Sequence, residues 1–178
     1  MIGIDIRESI LDRAREKAKC KDLLKVCEFT QKTDQKADII VSLDAFEHFE
    51  NPKLILDVMY DLLKPSGFVA ASFGPTWYHP NGGHLFSVFP WAHLLLSEKA
   101  LIRWRSDFKD DGATCFGEVA GGLNQMTIKR FEQIARASRF IFEEIELIPI
   151  RKLRAIHFRL TREFTTSIVR ARLTKRQP

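Results

Sequence analysis

Ala37-Asp38-Ile39-Ile40-Val41-Ser42-Leu43 is the stretch of sequence that decides the fold class. Its apolar residues do not alternate with polar ones, as they would on a strand with one solvated face. Three consecutive β-branched residues favour a strand, and apolar side chains on both faces are typical of a strand inside a parallel sheet. The stretch therefore predicts an α/β protein.

Strands and helices alternate on either side of this stretch. Asn51-Pro52 supplies a cap and a first-turn proline for a helix, and Lys64-Pro65-Ser66-Gly67 predicts its end. The apolar residues that repeat along this helix include Leu54, Val58 and Met59. The strands predicted in this half of the chain are residues 2–6, 26–29, 37–43 and 68–73. This order predicts a doubly wound, Rossmann-like, mostly parallel sheet with helices on both faces and a ligand site beyond the strand carboxyl ends.

The second half of the chain predicts an insertion and a closing hairpin. Residues 74–125 are rich in glycine, histidine and aromatic residues, include one predicted helix at 94–104, and are interpreted as an insertion in a single domain, 1–178. Strands are predicted at 142–150 and 164–173, and their short connection predicts that they are antiparallel. Thr127 predicts the start of a helix before them. The core-facing residues of that helix are expected to be Ile128, Phe131, Ile134 and Ala135.

Composition limits the function classes. The chain has 178 residues, 45% of them hydrophobic, and its apolar runs are too short to span a bilayer, so we expect a cytoplasmic protein. Three cysteines without CxxC spacing argue against a zinc site or a disulfide framework. From Arg151 onward there are nine Lys or Arg residues and one acid, Glu163. Apolar residues interleave with these cations, which favours a solvated face over a nucleic-acid or membrane surface.

Three segments in order carry a resemblance to a known family. They are Gly3-Ile4-Asp5-Ile6, the stretch from Ala37 to Phe49 that ends in Asp44-Ala45-Phe46-Glu47-His48-Phe49, and Leu62-Leu63-Lys64-Pro65-Ser66-Gly67-Phe68. Together they resemble the class I S-adenosylmethionine-dependent methyltransferases, in particular the quinone-biosynthesis group of methyltransferase type 11. The resemblance implies that these segments are the second strand, the fourth strand and the turn into the fifth strand, and that S-adenosylmethionine is the cofactor.

The resemblance also implies cofactor-binding residues. Asp5 would accept hydrogen bonds from both ribose hydroxyls, Ile6 would pack against the adenine, and Thr30 would lie at the adenine amino edge. Asp44 and Ala45 would line the cofactor site, so that Asp5 and the turn from Asp44 to His48 form opposite walls of one cleft. Taken alone, an aspartate that closes a strand is more often a turn or helix-cap residue.

The family's first strand and its Gly-x-Gly loop precede the ribose-binding acid by roughly 20 residues. Four residues precede Asp5 in this chain, so the loop is expected to be missing. Without the strand, its two neighbours in the sheet would lose hydrogen bonds worth about 1 kcal/mol each. We therefore interpret Met1 as an internal start or a truncation.

His48 is the candidate catalytic residue. Methyl transfer from a sulfonium requires alignment in a dry pocket, and a base if the acceptor is a hydroxyl. The resemblance suggests that His48 orients the loop or acts as that base. Two alternatives stay open: a divalent metal on Asp44, Glu47 and His48, and a capping role in which Glu47 and His48 only hold the turn. No resident metal is expected.

The insertion resembles an acceptor-binding lid. Its candidate acceptor-binding residues are Trp77, Tyr78, His79, His84 and Trp91. Aromatic side chains suit a ring-bearing or lipid-like acceptor, but they also serve to pin a loop by packing. The predicted function is methyl transfer to a small-molecule acceptor, with no nucleic-acid partner expected. The alternatives are a noncatalytic or degenerate domain of this fold, and an RNA-directed methyltransferase suggested by the basic C-terminal stretch.

Overall fold

The structure is a computed structural model that describes residues 1–83, 86, 89–110, 112–118 and 122–175. The chain divides into two compact units, Met1–Gln35 and Lys36–Pro178. In the N-terminal unit, strand β1 (Ile2–Ile4) is followed by helix α1 (Glu8–Cys20) and strand β2 (Glu28–Thr30). The two strands are parallel, with Ile2 opposite Glu28, and Leu11 and Ala18 are the buried residues of α1.

The C-terminal unit is built on a four-stranded sheet. Its strands are β3 (Ala37–Leu43), β4 (Leu63–Phe73), β5 (Phe140–Pro149) and β6 (Thr166–Lys175). Its helices are α2 (Pro52–Leu62), α3 (Ala92–Leu95), α4 (Glu98–Arg105), α5 (Ile128–Ala137) and α6 (Arg162–Thr165). The strand order is β3-β4-β6-β5; β3 and β4 are parallel, whereas β6 is antiparallel to both of its neighbours. The predicted α/β class and antiparallel hairpin are confirmed.

Strand β4 begins earlier than the sequence predicts. Lys64-Pro65-Ser66-Gly67 is part of the strand rather than a turn before it, because Ala37 is opposite Leu63 and Ile39 is opposite Phe68. The residues between them form a bulge opposite Asp38 alone. Lys64 Nζ bonds the Asp38 carboxylate at 2.9 Å, and a Cβ on Gly67 would lie 2.5 Å from the Asp38 carbonyl oxygen. Glycine is required there because the two backbones approach so closely.

The predicted helix at 94–104 is two helices. The Ser97 hydroxyl accepts from the Ala100 amide at 3.3 Å, and this N-cap starts α4 afresh after α3 has ended at Leu95. The insertion has a small core of its own that is separate from the sheet core. It consists of Phe86, Ala92, Leu101, Phe116 and Leu123, with Trp77 and Trp104 packed at its edge.

The main core lies between the sheet and the helices α2 and α5. Phe131 on α5 is fully buried, and its ring contacts the rings of Phe46, Phe73 and Phe142 at centroid distances of 4.8–6.1 Å. The other side of β3 is not covered. Ile39, Val41 and Leu43 are each more than half exposed, which differs from the two-sided burial that the sequence predicts. No helix in the described part of the chain is long and apolar enough to cross a membrane.

Candidate functional site

The carboxyl end of β3 leads into a strained turn. Asp44 has a φ of +47°, a left-handed conformation that costs energy in a residue with a side chain, and its amide donates to the Ser72 carbonyl on β4 at 2.8 Å. The amides of His48 and Phe49 then both bond the Ala45 carbonyl. Strain of this kind persists where surrounding contacts hold it, and it is concentrated at functional sites.

Asn124 holds this turn from a distant part of the chain. Its side-chain amide donates to the carbonyls of Phe46 and Phe49 at 2.6 and 2.7 Å, and its backbone amide donates to the Glu47 carbonyl at 2.9 Å. Arg130 in turn donates to the Asn124 carbonyl. Sequence reasoning missed Asn124, since a single asparagine within a glycine-rich segment carries no motif. The loop 122–126 therefore fixes the shape of the turn after β3.

Glu47 is the buried carboxyl group of the turn. It is 2% exposed, and its Oε1 accepts from the Gly74 amide just after β4 at 3.2 Å. Its Oε2 has no hydrogen-bond partner among the described residues. Burial is the main cause that raises the pKa of Glu47, and nearby Asp44 raises it further, while hydrogen bonds and His48 act in the opposite direction. The carboxyl group thus resists ionisation in this setting.

We expect Glu47→Gln to change stability in a pH-dependent way. Because the folded pKa lies above the ordinary carboxyl value of about 4.3, the wild-type protein loses stability as pH rises from that value through the raised one, whereas the uncharged glutamine side chain of the variant does not titrate. Across that pH window, the free energy of unfolding of the variant should rise relative to that of the wild type. Urea unfolding at a series of pH values measures the difference. Glu50→Gln, which removes an exposed carboxylate nearby, is the control. If the difference in unfolding free energy between Glu47→Gln and the wild type did not change with pH, the raised pKa of Glu47 would be contradicted.

Three segments meet around this carboxyl group. The turn 44–49, the residues after β4 and the loop 122–126 are joined by the bonds of Glu47 and Asn124 and by the Trp77 amide, which donates to the Met126 carbonyl at 2.7 Å. Each segment contributes one buried polar atom without a partner among the described residues: Glu47 Oε2, Thr76 Oγ1 and Asn124 Oδ1. Buried polar atoms are normally satisfied, so such atoms indicate a place for a ligand or water.

His48 directly follows Glu47 in the sequence and is half-buried. Its Nδ1 lies 2.7 Å from the carbonyl oxygen of Gly122. A carbonyl can only accept, so Nδ1 carries a hydrogen and, in the neutral ring, Nε2 carries the lone pair. This tautomer is compatible with a base at Nε2, and the bond to Gly122 also agrees with the capping alternative. Within the described residues, no three His, Cys, Asp or Glu side chains are grouped so as to hold a metal ion.

In the N-terminal unit, Asp5 lies directly after β1. Its Oδ1 accepts from the Arg7 amide at 2.8 Å and contacts Arg7 Nε at 3.3 Å, which is the turn role that an isolated aspartate commonly has. Ile6 is 86% exposed. The Thr30 hydroxyl bonds within its own turn, donating to the Lys32 carbonyl at 2.9 Å. These contacts fix the carboxylate of Asp5 and leave Ile6 open to solvent.

The aromatic residues of the insertion contact one another. Trp77 packs edge-on against His93 and Phe116, and the Trp91 indole donates to the Tyr78 carbonyl at 3.0 Å. Tyr78 packs on Phe164, and His79 Nδ1 accepts from the Asn81 amide at 2.9 Å. Burial, and then the charge of His93, lowers the pKa of His79. His84 lies outside the described residues. These contacts agree with packing, and the acceptor-binding role remains a prediction.

A groove of about 350 Å³ lies on the uncovered face of the four-stranded sheet. Its walls come from β3, β4, β5 and β6, and none of the predicted site residues lines it. The residues that line it are Leu43, Ala70, Ala71, Ser72, Glu144, Glu146, Arg170, Ala171 and Arg172.

Comparison by sequence gives one family. Residues 1–71 match the family model of a methyltransferase domain, and this range includes Asp5, Ile6, Thr30 and the turn from Asp44 to His48. No curated protein matches the chain by sequence.

Solved structures share the fold over nearly the whole chain. A putative S-adenosylmethionine-dependent methyltransferase from Listeria monocytogenes is 15% identical with a TM-score of 0.61, over 99% of this chain and 80% of that one. A putative methyltransferase from Haloferax volcanii, solved with the Trm112 methyltransferase activator, is 14% identical with a TM-score of 0.56, over 99% and 72%. PKMT2 from Rickettsia typhi in complex with AdoHcy is 16% identical with a TM-score of 0.57, over 99% and 44%. The Rossmann-like fold is thereby confirmed, and the family-model match over residues 1–71 agrees with the resemblance to methyltransferases.

Proposed function

Starting from the class I methyltransferase fold and the methyltransferase-domain match, we propose that this chain transfers a methyl group from S-adenosylmethionine to a small-molecule acceptor. When bound, the cofactor would supply a methyl group on a sulfonium sulfur: the acceptor would bond to the methyl carbon as the carbon–sulfur bond breaks, and S-adenosylhomocysteine would be the leaving group. The proposal is carried by the three unsatisfied buried polar atoms around the turn after β3. Glu47 and Thr76 follow the carboxyl ends of two parallel strands, where ligands bind in open α/β sheets, and Asn124 is bonded to the turn after the first of these strands.

The chemistry of these atoms suits the cofactor. A hydroxyl, an amide oxygen and a carboxyl group can all accept hydrogen bonds or face positive charge, and S-adenosylmethionine carries a sulfonium and an ammonium group. A cation next to Glu47 would favour the ionised carboxylate and offset the effect of burial on its pKa. In this proposal Asp44 and Ala45 line the cofactor site, and the left-handed backbone conformation of Asp44 sets the direction in which the chain leaves β3.

His48 is proposed as the base toward the acceptor. The Gly122 carbonyl holds the ring through Nδ1 and so directs the lone pair to Nε2. If the acceptor is a hydroxyl, Nε2 takes its proton as the oxygen attacks the methyl carbon. The residues proposed to contact the acceptor are Trp77, Tyr78, His79 and Trp91. His84, which lies outside the described residues, is proposed as a further acceptor contact on the basis of the sequence alone. The cytoplasmic location predicted from the sequence remains a prediction.

Asp5 is proposed as the ribose ligand, with Ile6 and Thr30 at the adenine. We expect Asp5→Asn to weaken S-adenosylhomocysteine binding by about tenfold or more, because charge-assisted bonds to the ribose hydroxyls are lost. Asparagine keeps Oδ1, so the bond from the Arg7 amide is preserved. Isothermal titration calorimetry on the whole chain measures the change.

The control for Asp5 is Asp12→Asn, which removes an exposed carboxylate from α1 that pairs with Arg15. It should bind S-adenosylhomocysteine as the wild type does. Equal affinity of the Asp5 variant and the wild type would leave Asp5 with its turn role alone. No binding by the wild-type chain would favour the noncatalytic alternative.

The acceptor class is tested separately. Labelled S-adenosylmethionine is incubated with the protein and with either small-molecule extract or total RNA, and the label is followed into each fraction. Label in the small-molecule fraction supports the proposal. Label in RNA alone would favour the RNA-directed alternative and contradict it.

A further inference from the structure

The connection between β5 and β6 exposes large apolar side chains. Ile156, Phe158 and Leu160 are 51%, 53% and 86% exposed, and Phe164 on the following short helix is also exposed. Single exposed apolar residues are common on protein surfaces, but four within nine residues are not. This surface, defined as residues 151–164 and called the β5–β6 connection, is therefore unusual for a face that meets only water.

The same connection carries four exposed cations that form no ion pair with the described residues. Arg151, Lys152, Arg154 and Arg159 are exposed and pair with no acid among the described residues. The only acid within the connection, Glu163, accepts from the amides of Ile128 and Lys129 and so is bound to the start of α5. These four cations are available to a negatively charged partner.

The connection is held in shape rather than loose. Its base is closed by the Ile150 amide, which donates to the Thr165 carbonyl at 2.7 Å. The His157 Nδ1 and Thr165 Oγ1 lie 2.8 Å apart, and Arg162 forms a two-bond pair with Glu132 on α5 at 2.7 and 2.8 Å. The exposed apolar side chains are therefore displayed on a fixed framework and do not result from an unfolded loop.

In the sequence alone, the interleaved apolar residues favour a solvated face, but in the structure these apolar side chains are themselves exposed beside the cations. Residues 151–156 form a 3-10 helix, in which side chains three apart lie on the same side. Arg151 and Arg154 therefore share one side, and Leu153 and Ile156 share another. Cations beside protruding aliphatic and aromatic side chains are the composition of segments that lie in a membrane interface, where the cations meet lipid phosphates and the apolar groups enter the acyl boundary.

We propose that the β5–β6 connection docks the protein on the surface of an anionic lipid bilayer. Bases could stack on Phe158, but Ile156 and Leu160 offer them neither polar groups nor flat rings and are best satisfied by acyl chains. The inference does not rest on the proposed methyl transfer, and membrane docking requires no transmembrane helix.

Vesicle co-sedimentation of the whole chain tests the proposal. The wild type is expected to bind vesicles of equimolar phosphatidylcholine and phosphatidylglycerol at low salt, and to bind phosphatidylcholine alone much more weakly. Arg151→Gln/Lys152→Gln should lower the partition coefficient about tenfold or more, since each basic residue near an anionic surface strengthens binding about fivefold. Phe158→Ser/Leu160→Ser should lower it as well, and the binding that remains should be more sensitive to salt.

The charge control is Lys17→Gln/Lys19→Gln, which makes the same change in net charge on exposed positions of α1. It should bind as the wild type does, and thermal melts of all variants check folding. Equal loss in the control and the connection variants would overturn the proposal, because it would show attraction by net charge alone. The proposal would also be overturned if the wild type did not bind vesicles. It would equally be overturned if the connection variants still bound vesicles but no longer bound a labelled single-stranded RNA.

Discussion

Phe131→Ala is expected to lower the free energy of unfolding by about 3–5 kcal/mol. Phe131 is fully buried, and its ring contacts three other rings that come from the turn after β3, from β4 and from β5. Alanine would leave a cavity between α5 and the sheet that these rings cannot fill without leaving their own contacts. Urea unfolding followed by circular dichroism measures the loss.

Phe158→Ala is the matched control for this substitution. It removes the same side chain from a position that is 53% exposed, so we expect a change of less than about 0.5 kcal/mol. A similar loss in both variants would mean that Phe131 is not part of a closed core. A small loss in both would mean that the aromatic cluster packs loosely.

His48→Asn is expected to lower the turnover of a hydroxyl acceptor by about 10²–10⁴-fold, the usual contribution of a general base. The asparagine amide can take the place of Nδ1 and keep the bond to the Gly122 carbonyl, so the turn should keep its shape. The assay uses the acceptor found in the labelled-methyl experiment.

Two further measurements separate the base from a structural role of His48. S-adenosylhomocysteine affinity and the free energy of unfolding should stay close to the wild-type values in His48→Asn. A fall in both with an unchanged turnover number would assign His48 to holding the turn. Asn124→Ala provides the comparison, because it removes both side-chain bonds to the turn and leaves His48 intact.

The helices show what the apolar pattern can and cannot predict. In α5, charged residues separate the apolar ones; of the predicted core residues, Ile128, Phe131 and Ala135 are buried and Ile134 is partly buried against the same core. In α2 the three charged residues, Lys53, Asp57 and Asp61, are spaced four apart and mark one face, but the other eight positions are apolar and form a stripe wider than the sheet covers. The predicted repeat includes Met59, which is buried, and also Leu54 and Val58, which are exposed, and it omits the buried Leu56. Tertiary contacts choose the buried face there.

The site was predictable only in part, for a similar reason. The position of Asp44 and His48 after a strand is a local feature of the sequence, and the structure places them there. The fold brings together residues about 75 positions apart in the chain. The burial of Glu47 and the hydrogen bonds from Asn124 to the turn depend on this. No spacing rule relates such residues.

The order of the sheet has a consequence for synthesis of the protein. The ribosome releases residues in sequence, yet β6, which follows β5 in the chain, lies between β4 and β5 in the described sheet. Until residues 166–175 emerge, β5 has no neighbour and one edge of β4 stays open. A nascent chain at that stage exposes strand edges that readily pair with other chains. We therefore expect the newly made polypeptide to depend on chaperone protection until β6 is released.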